Sequence, residues 1–303
     1  MLNDGKQASH TVIANDIRPI GVFDSGLGGL TIAREIARQF PHESLLYVGD
    51  TRRCPYGNRS VQEVRSFVLQ ISRWLTLHDV KALVIACNTA TASGLQAAQE
   101  MFDIPIIGVI KPGARSAVKA TKNGRIGVLA TTLTARSGAY TKAIHCINRE
   151  CQVINCAAQP FVTIVEEALD AGANFEQDWY TSSDLFMDQP TRQLVEKIVA
   201  PLLDARVDTV VTGCTHFPLL RAPLEAALGD EISLVSSAPE TCEELREILR
   251  KENQLVLQDI KPTYTFVTTS SDTDTFRHAG EYIFGSPFMN LKYLDIADLE
   301  KLA

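Results

Sequence analysis

Two cysteines occupy matching places in the sequence. Cys87 closes the apolar run Ala82-Leu83-Val84-Ile85-Ala86 and leads into Asn88, Thr89, Ala90 and Thr91. Cys214 closes a second apolar run, 207–213, and leads into Thr215, His216, Phe217 and Pro218. The octapeptides VKALVIAC and VDTVVTGC place each cysteine at the same distance from a leading valine. A second pair of segments, PIGVFDS at 19–25 and GRIGVLAT at 124–131, repeats in step with them. Alone, either cysteine reads equally well as a packed strand-end thiol, because cysteine is among the most buried residue types. As matched members of a repeat they point to two related halves, each placing a thiol on one wall of a shared cleft. Thiols titrate near working pH, where general acid–base catalysis is most efficient. One thiolate removing a proton while the opposite thiol delivers one would invert a carbon centre. The α-proton of an amino acid is too weakly acidic for that pair alone, so preorganised donors and charges must stabilise the developing carbanion with water excluded. A disulfide would instead require the two Cα atoms to approach within about 7 Å.

Other residues fit such a cleft. A thiol between a strand and a helix lies near free amides, which lower its pKa, and this is the expectation for Cys87. His216, two residues after Cys214, can pair with a thiol or carry a proton near neutral pH. The turn Asp24-Ser25-Gly26-Leu27-Gly28-Gly29-Leu30-Thr31 resembles a dinucleotide loop, with Asp50 as a possible ribose partner. Thr31 stands where the third glycine belongs, however, and Asp24 would repel a pyrophosphate. Asp24 reads better as a partner for an ammonium group, with Ser25 as a donor beside it. Pro55-Tyr56-Gly57-Asn58 forms a turn that can also close over a small ligand. Thr131, Thr132 and Thr134 repeat the strand-end theme with hydroxyls suited to a carboxylate. Glu166 falls on a helix, where most glutamates are merely solvated. Cys146, Cys151 and Cys156, with His145, lack the second ligand pair of a zinc site and read as packing thiols. Cys54 and Cys242 have no visible partner.

The elements that must position these residues follow from periodicity. Short apolar runs at 20–23, 45–48, 82–86, 104–110 and 125–130 alternate with helical patterns. Later strands are expected at 152–155, 208–212, 232–235 and 264–268. Ser60-Val61-Gln62-Glu63 is a capping box opening one of the helices. Fully apolar strands alternating with helices give an α/β fold of parallel sheets, with active-site loops at the strands' carboxyl ends. The 303 residues suffice for about two domains, with 45% hydrophobic and 21% charged residues as in ordinary globular proteins. A net charge of −7 argues against a nucleic-acid partner. No apolar run approaches a membrane span, and the polar first nineteen residues hold no export signal. The seven cysteines are then expected as free thiols in a reducing cytoplasm.

The motifs GVFDSGLGGLT, PYGNRS, ACNTATA and GCTHFPLL, in this order and spacing, resemble those of the glutamate racemases, within the aspartate/glutamate racemase superfamily. The resemblance covers residues 19 to 285. It implies two pseudo-symmetric parallel-sheet α/β lobes with the active site in the cleft between them. Residues 1–18 would form an N-terminal extension, 19–113 with 230–303 the first lobe, and 114–229 the second. It implies a cofactor-independent, metal-free enzyme that interconverts L- and D-glutamate with Cys87 and Cys214 as the two acid/base residues, and Asp24 and His216 assisting them. It further implies substrate contacts at Asp24, Ser25, Tyr56, Gly57, Asn88, Thr89, Thr131, Thr134, Thr215 and His216, with Glu166 an auxiliary acid near His216. The His after Cys-Thr favours glutamate, since relatives acting on aspartate tend to carry Glu there. Racemisation of aspartate or another amino acid is the alternative reading. A cytoplasmic role supplying D-glutamate for peptidoglycan, activation by UDP-N-acetylmuramoyl-alanine and a homodimer complete what the resemblance implies. Cys54 before Pro55 and the segment Gln159-Pro160-Phe161-Val162-Thr163 depart from the usual pattern.

Overall fold

The computed structural model describes residues 16–171, 179 and 185–302. Most of the expected N-terminal extension lies outside the described residues. Among the described residues, ten strands make two sheets. They are β1 (Ile20–Asp24), β2 (Leu45–Gly49), β3 (Ala82–Ile85), β4 (Ile106–Gly108), β5 (Arg125–Ala130), β6 (Gln152–Ala157), β7 (Thr209–Gly213), β8 (Ser233–Val235), β9 (Tyr264–Thr268) and β10 (Asn290–Tyr293).

The larger sheet runs β10-β9-β2-β1-β3-β4 and the smaller β6-β5-β7-β8. Every pairing in both is parallel. Helices cover the faces, so β1, β2, β3 and β7 are buried at every residue. That two-sided burial explains why β2 and β3 read as apolar runs, and in β7 Thr209 and Thr212 are buried with the valines.

The order β2-β1-β3-β4 in the first sheet recurs as β6-β5-β7-β8 in the second. The repeat in the sequence is therefore a repeat in topology, with β5 standing for β1 and β7 for β3. In each sheet the chain reverses its direction of winding between those two strands, and such a switch point opens a crevice at the carboxyl ends.

Two expectations are corrected at this level, and one strand went unforeseen. The strand expected within 232–235 pairs with β7, Val211 opposite Val235, so it belongs to the smaller sheet and not to a first lobe resuming at 230. The second half needs this fourth strand to complete its copy of the plan. The run 104–110 holds only the three-residue β4, because a helix begins at Ile110. β10 was not legible: as a mostly exposed edge strand with a single half-buried side chain, it lacks an apolar signature.

Between β1 and β3 the strand ends rest on a buried ion pair. Lys81 is fully buried, with Nζ 2.5 Å from Glu43 Oε2 and 2.7 Å from the carbonyls of Asp16 and Gln254. One ammonium thus ties together three segments distant in sequence at the amino ends of β1 and β3.

Candidate active site

The site is built at the two switch points. β1 ends at Asp24, and the chain after β3 reaches Cys87 two residues later. In the second sheet β5 ends one residue before Thr131 and β7 ends directly before Cys214. Cys87 and Cys214 line one small cavity together with Ser25, Tyr56, Gly57, Asn88, Thr89, Thr131, Thr215 and His216. Ten of the residues expected at the site are therefore gathered around one space, from both sheets. Asp24 and Thr134 lie directly behind it, and Glu166 behind His216. The cavity has a volume of about 10 Å³, room for about one water molecule.

Cys87 caps the helix Asn88–Met101, its Sγ accepting from the Ala90 N–H at 3.4 Å. Its Sγ lies 3.7 Å from Ser25 Oγ. The expectation of a lowered pKa is overturned. Burial, reinforced by the Asp24 carboxylate, pushes this thiol up to about 12 against the opposing Ala90 amide and Ser25 hydroxyl. Helix-end amides stabilise a thiolate by a few tenths to about 1 kcal/mol, too little against full desolvation.

Asp24 is completely buried. Oδ1 accepts from the Gly26 N–H at 3.0 Å and Oδ2 from the Thr215 hydroxyl at 3.2 Å. Burial raises its pKa, while His216, these donors and the Gly29 amide oppose the rise. A cationic ligand group would restore the full charge by supplying the missing counter-ion.

Across the cavity Cys214 Sγ lies 3.6 Å from His216 Nδ1. His216 Nε2 is bonded to Glu166 Oε1 in a short contact. Burial works against a charged imidazole here, but the Glu166 carboxylate and Cys214 outweigh it and hold His216 well above the usual histidine range. Glu166 is correspondingly held low: burial would raise its pKa, and His216 and Cys54 reverse the effect. The close approach of the 214–216 segment to the first sheet explains the glycine-rich turn. A Cβ on Gly28 would lie 2.5 Å from Thr215 Oγ1 and 2.8 Å from His216 Nδ1. Glycine there serves contact between the two halves, which accounts for the residue without a dinucleotide.

Three hydroxyls meet at one corner. Thr89 Oγ1 lies 2.8 Å from Thr131 Oγ1 and 3.2 Å from Thr134 Oγ1, and Thr131 bonds Thr134 at 3.0 Å. Thr132, considered with them, does not line the cavity; its N–H bonds Gln159 Oε1 at 3.4 Å. Asn88 is oriented by the Tyr140 hydroxyl, which donates to its Oδ1 at 2.7 Å.

The Tyr56-Gly57 turn is fixed from below. Asp50, fully buried, accepts from the Tyr56 hydroxyl, from Arg53 Nε at 2.6 Å and from the Thr269 hydroxyl at 2.9 Å. Asp50 was read only as a ribose partner, a reading its occupied carboxylate removes. Cys54, read as partnerless, lies 3.8 Å from Glu166 Oε1. Cys146 is exposed, and the neighbouring His145 ring bonds the Cys151 carbonyl at 3.0 Å.

Two parallel-sheet halves, each presenting a buried thiol at a strand end, meet at this cavity with Asp24 and the Glu166–His216 pair beside it. The chain belongs to the Asp/Glu/Hydantoin racemase family, whose signature it matches over residues 20–245. Glutamate racemase of Listeria monocytogenes is 39% identical over 277 residues, 91% of this chain and 98% of that one. The crystal structure of a glutamate racemase isoform from Bacillus anthracis superposes with a TM-score of 0.83 at 41% identity, covering 93% of this chain and 99% of that one. Escherichia coli glutamate racemase, solved with L-glutamate and the activator UDP-MurNAc-Ala, gives a TM-score of 0.71 at 29% identity, covering 92% and 98%. The protein is thus a racemase, an isomerase. Among the described residues no helix is long and apolar enough to cross a membrane.

Proposed function

We propose that this racemase interconverts L- and D-glutamate without a cofactor, by proton transfer between Cys87 and Cys214. The observation that carries the reading is the pair of buried thiols, one from each sheet, on a single cavity. The relatives' shared substrate supports glutamate. In each direction one cysteine, as thiolate, takes the α-proton from one face. The other, as thiol, delivers a proton to the opposite face.

Asp24 receives the substrate ammonium and assists Cys87. Its burial favours an ionic partner over an ionised carboxylate left alone. His216, kept protonated by Glu166, assists Cys214 by stabilising its thiolate or restoring its proton. The hydroxyls of Thr89, Thr131 and Thr134 converge on a corner suited to a carboxylate, with Gly57 and Tyr56 closing the opposite side. Ser25, Asn88 and Thr215 supply the remaining polar contacts. General acid–base transfer contributes about 10²–10⁴-fold, so the rest of the acceleration comes from these preorganised groups in a site that excludes water.

In this reading the lobes comprise 19–113 with most of the C-terminal part, and 114–235. The enzyme works in the cytoplasm, as a homodimer, and feeds peptidoglycan synthesis. Activation by UDP-N-acetylmuramoyl-alanine is proposed from the Escherichia coli relative.

Circular dichroism of each glutamate enantiomer in deuterated water, with purified protein and no cofactor, tests the reading. Decay of both signals to zero with deuterium at the α-carbon is expected. Signals that persist, with and without the muramoyl nucleotide, would exclude glutamate; decay with aspartate instead would select the alternative substrate.

A further inference from the structure

A buried hydrogen-bond donor without an acceptor costs folding free energy and so calls for a physical reason. Gln159 carries one beside the site. It opens the helix Gln159–Asp170 of the second half. Its Nε2 is withdrawn from solvent and has no hydrogen-bond partner among the described residues. The other end of the same carboxamide is engaged, with Oε1 accepting from the Thr132 N–H at 3.4 Å. That bond fixes the orientation. Turning the amide over would set its NH2 against the Thr132 N–H, so the unpaired end is the donor end.

The carboxamide lies on the seam between the two halves. A Cβ on Gly57 would stand 2.1 Å from Gln159 Oε1, 3.0 Å from its Cδ and 2.8 Å from Thr131 Cβ. Gln159 and Thr131 therefore converge on one point of the Tyr56-Gly57 turn, and the lack of a side chain at 57 lets them. Gly57 and Thr131 line the cavity between the thiols, and Gln159 stands directly behind them. Thr131 is also part of the corner it makes with the Thr89 and Thr134 hydroxyls.

We propose that Gln159 is a specificity residue, whose Nε2 donates to the distal carboxylate of the substrate. The inference rests on the proposed function, a dicarboxylic amino acid held between the two thiols. Ser25 lies 3.7 Å from the Cys87 sulfur, Asn88 follows Cys87 and Thr215 follows Cys214. These donors beside the sulfurs serve the carboxylate on the reacting carbon, which leaves the hydroxyl corner for the carboxylate at the far end. A substrate seated between the thiols is expected to press the turn at Gly57 outward and open the carboxamide to the cavity. The carboxylate at the corner then supplies the acceptor that Nε2 lacks, and an ionised acceptor makes the stronger kind of hydrogen bond. An amino acid without a distal carboxylate leaves Nε2 buried and unpaired, and a polar site rejects an analogue on that ground.

The test compares Gln159→Glu and Gln159→Met with the wild-type protein, with two probes titrated by calorimetry. Glutarate has both carboxylates and no ammonium. Norvaline keeps the ammonium and the α-carboxylate and has a methyl group in place of the distal carboxylate. Gln159→Glu retains an acceptor for the Thr132 N–H and suits the first position of a helix, but it replaces the donor by a negative oxygen. Gln159→Met removes donor and acceptor together at similar length. Each variant should weaken glutarate by about tenfold or more, the scale of one hydrogen bond to a charged group, and leave norvaline unchanged. KM for glutamate should rise by a similar factor while kcat changes little, the mark of lost binding at a distance from the reacting carbon.

Equal weakening of the two probes, or glutarate affinity unchanged in the variants, overturns the inference and leaves Gln159 a packing residue at the seam. Gln159→Glu keeps the test open should Gln159→Met fail to fold. Failure of the racemase reading looks different. If glutarate binds in a Gln159-dependent way but neither glutamate enantiomer exchanges its α-proton, the proton-transfer reading falls and the carboxylate contact stands. If the wild-type protein binds neither glutarate nor glutamate, the substrate reading falls and takes the inference with it.

Discussion

Cys87 is the residue on which burial and chemistry pull hardest against each other. Its pKa is pushed up to about 12, yet the proposed reaction needs its thiolate. The thiolate must therefore form in the company of the substrate ammonium and with Asp24 partly neutralised by it. Replacing either Cys87 or Cys214 by alanine should reduce racemisation by more than about 100-fold, measured by circular dichroism, the scale of one general acid or base. Alkylation should inactivate the enzyme, and glutamate should slow that inactivation. Asp24 adds a pH dependence whose sign follows from its raised pKa. Below that pKa the carboxyl is neutral and ceases to hold the ammonium. kcat/KM should then decline on an acid limb lying above the ordinary Asp value of about 3.9. A profile flat down to about pH 4 would contradict this role. The fate of Cys87's pKa shows where sequence reasoning stops: the helix amides were visible at 87–90, but the desolvation that outweighs them depends on packing between distant segments.

At the scale of elements, the strand ends do the positioning, and two features make them precise. The first is the close approach at Gly28, where a methyl group would collide with Thr215 and His216. Gly28→Ala should cost activity far more than stability. A misplacement of about 1 Å can lower rate about 10²-fold, and the ratio of kcat to Tm effects checks it. The second is Lys81, which anchors the opposite, amino ends of β1 and β3. Removing it as Lys81→Ala leaves Glu43 buried without its partner, and urea unfolding should show a loss of about 3–5 kcal/mol. The strands that carry the site were all legible, because burial on both faces enriches them in apolar residues. The Ser60 capping box was legible too: Glu63 N–H and side chain complete it as expected. Cys54 was not, since its partner Glu166 is 112 residues away and no local pattern encodes that meeting. Tyr140, which orients Asn88 across 52 residues, escaped for the same reason.

For the whole molecule, the site belongs to the meeting of two halves rather than to either. The space between the thiols, at about 10 Å³, is far smaller than an amino acid, while a cavity of about 450 Å³ also reaches Cys214, Asn88 and Thr215, and substrate entry is expected to move the halves or the Tyr56-Gly57 turn apart. Hydrogen exchange at the amides of residues 56–57 should therefore slow when D-glutamate binds and the walls close on it. Unchanged exchange would place the entry elsewhere. The sequence repeat announced the two halves, but the position of β8 shows its limit. Only three residues long and half exposed, β8 carried no sign of which sheet it would join.

The matching strand order of the two sheets bears on stereochemistry. L-glutamate and D-glutamate are mirror images, and a chain of L-residues can contain no mirror. Rotating one half-protein onto another is the nearest substitute, because it can present similar chemistry to opposite sides of a flat carbanion. The two halves are not identical: Ser25, with Asp24 nearby, stands beside one sulfur, and His216 with Glu166 beside the other. Equilibrium fixes the ratio of kcat/KM for the two enantiomers, so this handed divergence can express itself only in how kcat and KM are divided between them.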